Sequence, residues 1–392
     1  MILYTLIALT SGVLIGSFLK PSNWKSLPNW LFVCSLLFVL IVATQFIRAS
    51  GGPSWNIAPE YWAQFGAFVG GILLAATLVY QFYTFKKQKE QSELQFRKTQ
   101  LQSRFYEMIK YHRENVLEFK HVLPDKEKQT TVEGRKVFVE IYKQFLELHE
   151  FVSDKNRLAR HNIHSVSKLF SGTDSETISQ IRKQIGASED HQGDIKVTKF
   201  AWIDISYHIL FFGLAGERER SALLTLNRYN HEFLDEIFDE LENKNASYDK
   251  RDKGFIKYNG GHLHRLGHYY RHLFQTVKLI DQTEDLTYEE KYAYVKNLRA
   301  QLSTYEQIML YIDSISGLGN QWEFGDEKNY FITKYNLIQN IPVRMLPFEI
   351  IPTLFYGFVP FEDLDWGKDQ QNTRKQFLKR IMPGEDLSFL DK

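Results

Sequence analysis

Three long stretches without a single charge, residues 2–19, 30–47 and 62–85, fill most of the first 85 positions of this 392-residue chain. A helix rises about 1.5 Å per residue, so crossing a hydrocarbon core about 30 Å thick takes about 20 apolar residues. All three stretches are therefore read as transmembrane helices, the first being marginal in length. That first run lacks the positive leading segment of a signal peptide, since Met1-Ile-Leu-Tyr-Thr-Leu6 carries no Lys or Arg. The mean hydropathy of the whole chain, -0.33, conceals this split, because nearly all strong hydrophobicity lies ahead of Lys86.

Basic residues orient the spans. Lys86, Lys87, Lys89, Arg97 and Lys98 follow the third run, Lys20 and Lys25 precede the second, and Arg48 and Glu60 alone separate the second from the third. This pattern predicts an outside N-terminus and a cytoplasmic C-terminal body. Trp24, Trp30, Trp55, Tyr61 and Trp62 fall where aromatic side chains meet lipid headgroups. Gly66-Ala-Phe-Val-Gly70, continued by Gly71 and Ala75, sets small residues four apart. Such a stripe lets helices approach closely, either within the chain or in a homo-oligomer, and the motif leaves both open.

Beyond the third run, residues 86–120 hold no Gly or Pro and space Leu94, Leu101, Phe105 and Met108 at helical intervals. They predict a stalk helix, and residues 121–392 a helical cytoplasmic domain, an all-α arrangement overall. Within that domain the expected helices cover about 135–170, 200–213, 221–242, 262–281 and 288–316. Polar or Gly-containing loops separate them, including 171–196 with one short helix. The run 200–213 is too short to span and reads as a buried helix. A net charge of +1 provides no general attraction to nucleic acid, and the single cysteine, Cys34, excludes disulfides and Cys-based metal sites.

Two of these helices could carry chemistry. His262, His264, His268 and His272 lie with Arg265 and Arg271 in eleven residues. On a regular helix Leu263, Leu266, Tyr270, Leu273 and Val277 form an apolar stripe, with Arg265, His268 and His272 opposite. Histidines four apart can share a metal, but no His-Glu-x-x-His arrangement or third ligand accompanies them, so neither metal nor cofactor is expected. Arg265 and His272, six residues between them, are similar to the Arg…His pattern of HEPN ribonucleases, in which both would act on RNA as candidate catalytic groups with His268. The plain alternative is a hydrated or helix-bridging polar face. On the following helix Arg299, Ser303 and Glu306 share one side, where Arg299 and Glu306 could pair around Ser303. No Gly-rich phosphate loop with its Lys is present, so a nucleotide hydrolase is not expected.

The chain also resembles a bacterial family, that of the putative phage abortive infection proteins. The resemblance rests on Gly267-His-Tyr-Tyr-Arg-His-Leu-Phe274, Lys278-Leu-Ile-Asp281 and Tyr294-Val-Lys-Asn-Leu-Arg-Ala-Gln-Leu-Ser303 with Glu306. Residues 62–71, 105–116 and Gly134-Arg-Lys-Val-Phe138 add to it. It implies an anti-phage role at the bacterial inner membrane, and the leading reading is a cytoplasmic domain that senses infection or acts as effector, with a phage component or host RNA as the candidate partner. It also implies two N-terminal spans rather than three, a departure that bears on the first run alone. A membrane-tethered ribonuclease and a structural membrane scaffold are the alternatives.

Overall fold

The computed structural model describes residues 59–123, 130–171, 175–214, 223–247, 261–324, 328–365 and 367–391, with Ile41, Thr44, Gln45 and Arg48 ahead of them. The expected span 2–19 lies outside the described residues, as does 30–47 apart from Ile41, Thr44 and Gln45, which are helical. Two compact units divide the chain, residues 1–101 and 102–392.

The first unit, where described, is helical, at the four described residues from Ile41 to Arg48 and from Pro59 onward. Helix α1, Pro59–Leu117, begins here and supplies its residues from 102 onward to the second unit. Among the described residues it alone is long and apolar enough to cross a membrane, with a mean hydropathy of 1.7 over its most apolar window, none of which is buried. Leu74 and Phe82 are 63% and 73% exposed. Among the described residues, nothing lies within 4 Å of a Cβ built at Gly66, Gly70 or Gly71.

The second unit is helical around a core of three helices, α2 (Lys136–Val152), α6 (His191–Phe212) and α10 (Thr304–Ile315). Helix α10 packs against both others. Its sequence is apolar nearly all round, and every residue from Glu306 to Ile315 is buried, as a helix enclosed on all sides requires. Helix α6 is buried from Ala201 and again from Ile203 to Phe211, which bears out the buried helix expected there. It starts earlier than periodicity indicated, because Asp190 caps it by accepting from the Gly193 N–H at 2.8 Å.

Several expected helices are shorter or broken. The stretch 135–170 divides into α2, α3 (Lys155–Arg160) and α4 (Val166–Leu169), with Asp154 capping α3. The polar region after it holds α5 (Ser175–Ile185), and the segment expected to be helical from 221 forms a 3-10 turn, Leu223–Arg228, before α7 (His231–Ser247). Residues 348–361, interrupted by Pro352 and Pro360, form short turns, including Phe348–Ile350 and Pro352–Leu354.

The all-α expectation also needs one amendment. Strands β1 (Lys120–Leu123) and β2 (Thr130–Glu133) pair antiparallel, Lys120 opposite Glu133 and His121 opposite Val132. Lys120 Nζ lies 3.1 Å from Glu133 Oε1 across the pair. Four-residue strands leave too little alternation to stand out from a polar loop.

Candidate functional site

Neither chemistry-bearing helix is continuous. The histidine-rich segment opens with a π-helical turn, Leu263–Gly267, and becomes α-helical as α8 (His268–Asp281). A π turn places more residues in each revolution and so shifts the phase of everything before it. Leu263, assigned by regular geometry to the apolar stripe, is consequently 49% exposed, while His262 and Tyr269 are buried. The second segment divides into α9 (Tyr288–Arg299) and α10, with residues 300–303 between them.

Ser303 and Glu306 make the second start. The Ser303 hydroxyl accepts from the Glu306 N–H at 3.3 Å, and the Glu306 carboxylate accepts from the Ser303 N–H at 2.7 Å. Thr287 and Glu290 make the same reciprocal cap at the head of α9. Each box satisfies donors that a helix start leaves unpaired. The pairing of Arg299 with Glu306 across Ser303 does not form. Arg299 is buried and donates from Nη1 to the Asn336 carbonyl at 2.9 Å, tying the end of α9 to the end of α11 (Phe331–Tyr335).

Glu306 is the centre of a buried polar node. Its carboxylate accepts from the Tyr269 hydroxyl at 3.2 Å and lies 3.4 Å from Arg135 Nε and 3.8 Å from His112 Nε2. Arg135 also donates from Nη2 to the Gln301 carbonyl at 2.6 Å, so one guanidinium grips both the break and the helix after it. The His112 ring packs 4.9 Å from that of Tyr269. Burial, then the nearby His272 and Arg135, bring the pKa of His112 down to about 4. It is therefore neutral at physiological pH. His272, half-buried, is also shifted down, by burial and by the charge of His268, which is exposed. His272 thus interacts electrostatically both with the exposed His268 and with His112 beside Glu306.

Arg265 turns elsewhere. Its Nε and Nη2 donate to the Lys120 carbonyl at 2.9 and 2.7 Å, and its Nη1 lies 3.2 Å from His262 Nδ1. His262 Nε2 donates to Gln144 Oε1 at 2.6 Å, and the Gln144 amide nitrogen lies 2.9 Å from His121 Nε2. These partners assign His262 as the neutral tautomer with its proton on Nε2. Burial and the adjacent Arg265 hold its pKa well below the ordinary value. The network ties the π turn to both the hairpin and α2. His264 is exposed, so the four histidines divide among solvent, His112 and the Gln144 network. Among the described residues no group of three or more His, Cys, Asp or Glu side chains is placed to hold a metal.

A second buried network escaped the reading of the sequence. Asp204, in the middle of α6, accepts from the Tyr229 hydroxyl at 2.7 Å and the Gly317 N–H at 2.6 Å, and pairs with Arg228. Burial alone would raise its pKa, but Arg228 and His208 outweigh burial and hold the carboxyl well below the usual range. Asp313 behaves in the opposite way. It accepts from the Tyr207 hydroxyl at 2.8 Å and from the Trp322 indole at 3.1 Å, and burial outweighs these bonds and the nearby His208, raising its pKa to about 7. An aspartate inside an apolar run is itself a signal, since a charge there must find a buried partner. His112 and Arg135 lie outside the two helices, in the segments 105–116 and 134–138 that carry the resemblance, but nothing local in the sequence assigns them to Glu306.

The geometry places imidazole, phenol and carboxylate together, groups suited to proton transfer. Glu306 and His112, at 0% and 2% exposure, are closed to a substrate, so the node's evident work is to join α1, α2, α8 and α10. Residues 261–346, which hold α8, α9 and α10, match the model of a family described as "putative phage abortive infection protein". The resemblance read from 267–281 and 294–306 is borne out over that segment. Neither the curated proteins nor the solved structures contain a match to this chain.

Proposed function

We propose, with kinship to the phage abortive infection proteins over residues 261–346 as the premise, that this chain is a membrane-anchored anti-phage protein. In this reading its helical body receives the signal of infection and halts the infected cell by acting through the membrane segment or a partner. The observation that carries the role is the family match.

The membrane part has separate support. Phe68, Leu74, Leu78, Val79, Phe82 and Phe85 are all exposed on α1. Burying one such side chain is worth about 1.5–3 kcal/mol, so a helix displaying six of them is far better placed in lipid than in water. Lys86, Lys87 and Lys89 at the end of the apolar run favour a body on the cytoplasmic side. A route for the signal is supported by α1 residues from 105 onward, which pack into the matched segment: Phe105 lies 5.0 Å from Tyr294, and His112 faces Glu306.

Phage plating on cells with and without the gene tests the role. Reduced plaque formation on at least one phage in a broad panel is expected, and equal plating on all of them would remove the anti-phage reading in favour of a scaffold. A membrane-tethered ribonuclease using Arg265 and His272 is the alternative mechanism. The engagement of Arg265 with Lys120 and His262 favours the signalling reading. Membrane depolarisation ahead of any RNA loss would favour it further, and the reverse order would support the ribonuclease.

A further inference from the structure

A cleft of about 1100 Å³ opens in the second unit between the end of α5, the start of α6 and the segment bearing α11 and α12 (Lys368–Ile381). It has no part in the polar node around Glu306. Four cations line it, Lys183, Lys196, Lys328 and Arg380. Among the described residues Glu323 is its single carboxylate, and that group is engaged in the wall: it accepts from the Thr333 N–H at 3.1 Å and from the Thr333 hydroxyl, closing the first turn of α11. Lys196 is partly buried, which lowers its pKa to about 8 and still leaves it charged at neutral pH. The cleft is therefore strongly cationic in a chain whose net charge is only +1.

Its walls are aromatic as well. Phe358 stacks on Phe377 at 4.4 Å, Phe324 stacks on Tyr356 at 5.8 Å, and Tyr330 meets Phe377 edge-on at 5.7 Å. Tyr330 and Lys328 are held at φ +53° and +46°. Bulky residues rarely adopt that left-handed conformation, and where they do the surrounding structure must enforce it. Gln184, also on the wall, has a buried amide nitrogen with no hydrogen-bond partner among the described residues. An unmet buried donor is costly unless something occupies its front.

Each feature narrows the ligand. A small inorganic anion needs the cations but neither this volume nor the rings. An apolar ligand would leave four cations facing it. A ligand with both phosphates and a flat heterocycle uses everything present: Lys and Arg hold phosphate oxygens, aromatic faces stack a base, and an amide N–H meets a ring acceptor. We propose that this cleft binds a nucleotide, its phosphates held by Lys183, Lys196, Lys328 and Arg380 and its base against the wall of Tyr330, Phe358 and Phe377.

Calorimetric titration of the purified full chain in detergent tests this, using ATP, GTP, CTP and UTP separately, with tripolyphosphate and adenosine as controls. At least one nucleotide should bind, more tightly than either control. Lys183→Glu with Lys328→Glu should weaken it by roughly tenfold or more with the melting temperature unchanged, since both side chains are exposed. Tyr330→Gly accepts the backbone conformation and should weaken nucleotide but not tripolyphosphate. Absence of binding by all four at millimolar concentration overturns the proposal, as does tripolyphosphate binding equally well or a charge-reversed variant binding like the native chain. Binding is read on purified protein and protection from phage in cells, so either proposal can fail while the other stands.

Discussion

Glu306 of α10 and His112 of α1 face one another at 3.8 Å inside the body, both almost fully enclosed. The distance exceeds a hydrogen bond, and the imidazole is neutral at physiological pH. What holds the carboxylate is instead the Ser303 N–H, the Tyr269 hydroxyl and Arg135.

Replacing Glu306 should therefore separate capping from charge. Glu306→Gln retains an acceptor for the Ser303 N–H but loses the ion pair, and is expected to cost about 1–2 kcal/mol. Glu306→Ala strands the buried donors as well and should cost about 3 kcal/mol or more. Chemical unfolding of the two variants in detergent checks the order, and equal losses would contradict the capping role.

Asp313 predicts a pH dependence. Its folded pKa, about 7, lies above the unfolded value of 3.8, so the folded state holds the proton more tightly between them. The stability this contributes is fully present below the unfolded pKa and is lost as pH rises through 7, with a slope of at most about 1.4 kcal/mol per pH unit. Asp313→Asn removes that loss. Relative to the native chain, the variant should be more stable at pH 8 than at pH 5, as read from melting temperatures across the range.

His112 has the opposite sign. With a folded pKa of about 4 against 6.5 unfolded, its contribution is lost as pH falls from 6.5 through 4. His112→Gln should flatten the acid side of the stability profile. An unchanged acid limb would show that this ring is not buried in the neutral form.

Gly261 should tolerate no side chain. It has φ +51°, and an added Cβ would lie 2.4 Å from the Phe212 carbonyl carbon. The next residue is seated by the His262 N–H, which donates to the Phe211 carbonyl at 2.9 Å. Gly261→Ala is expected to lose more than about 3 kcal/mol, combining left-handed strain with displacement of backbone. Recovery of folded protein by size-exclusion chromatography reads the result, and native yield would refute the close approach.

Leu74→Arg tests the membrane segment. A central Arg opposes insertion by about 2.5–3.5 kcal/mol, so the protein should shift from the membrane to the soluble or aggregated fraction. Leu74→Ile should leave fractionation unchanged. Identical distribution of both variants would count against α1 as a span.

Some of the site was legible and some was only mislabelled. Glu306 and Ser303 stand out in the sequence, but the S-x-x-E spacing of Ser303-Thr-Tyr-Glu306 marks a helix start rather than one face of a continuous helix. Regular helical geometry puts Arg265 and His272 on one face. The π turn and the partners Lys120 and His112 send them to different surroundings.

The N-terminal hydrophobicity, the buried run 200–213 and the family segment could be read directly because each is a local property of consecutive residues. What the polar residues do was decided elsewhere in the chain. Arg135 reaches Gln301 across 166 positions, Arg265 reaches Lys120 across 145, and Asp204 meets Gly317 across 113. Periodicity tells which way a side chain faces within its own helix. Only packing brings the second helix that supplies its partner, and burial then makes that partner's charge or hydrogen bond the deciding energy.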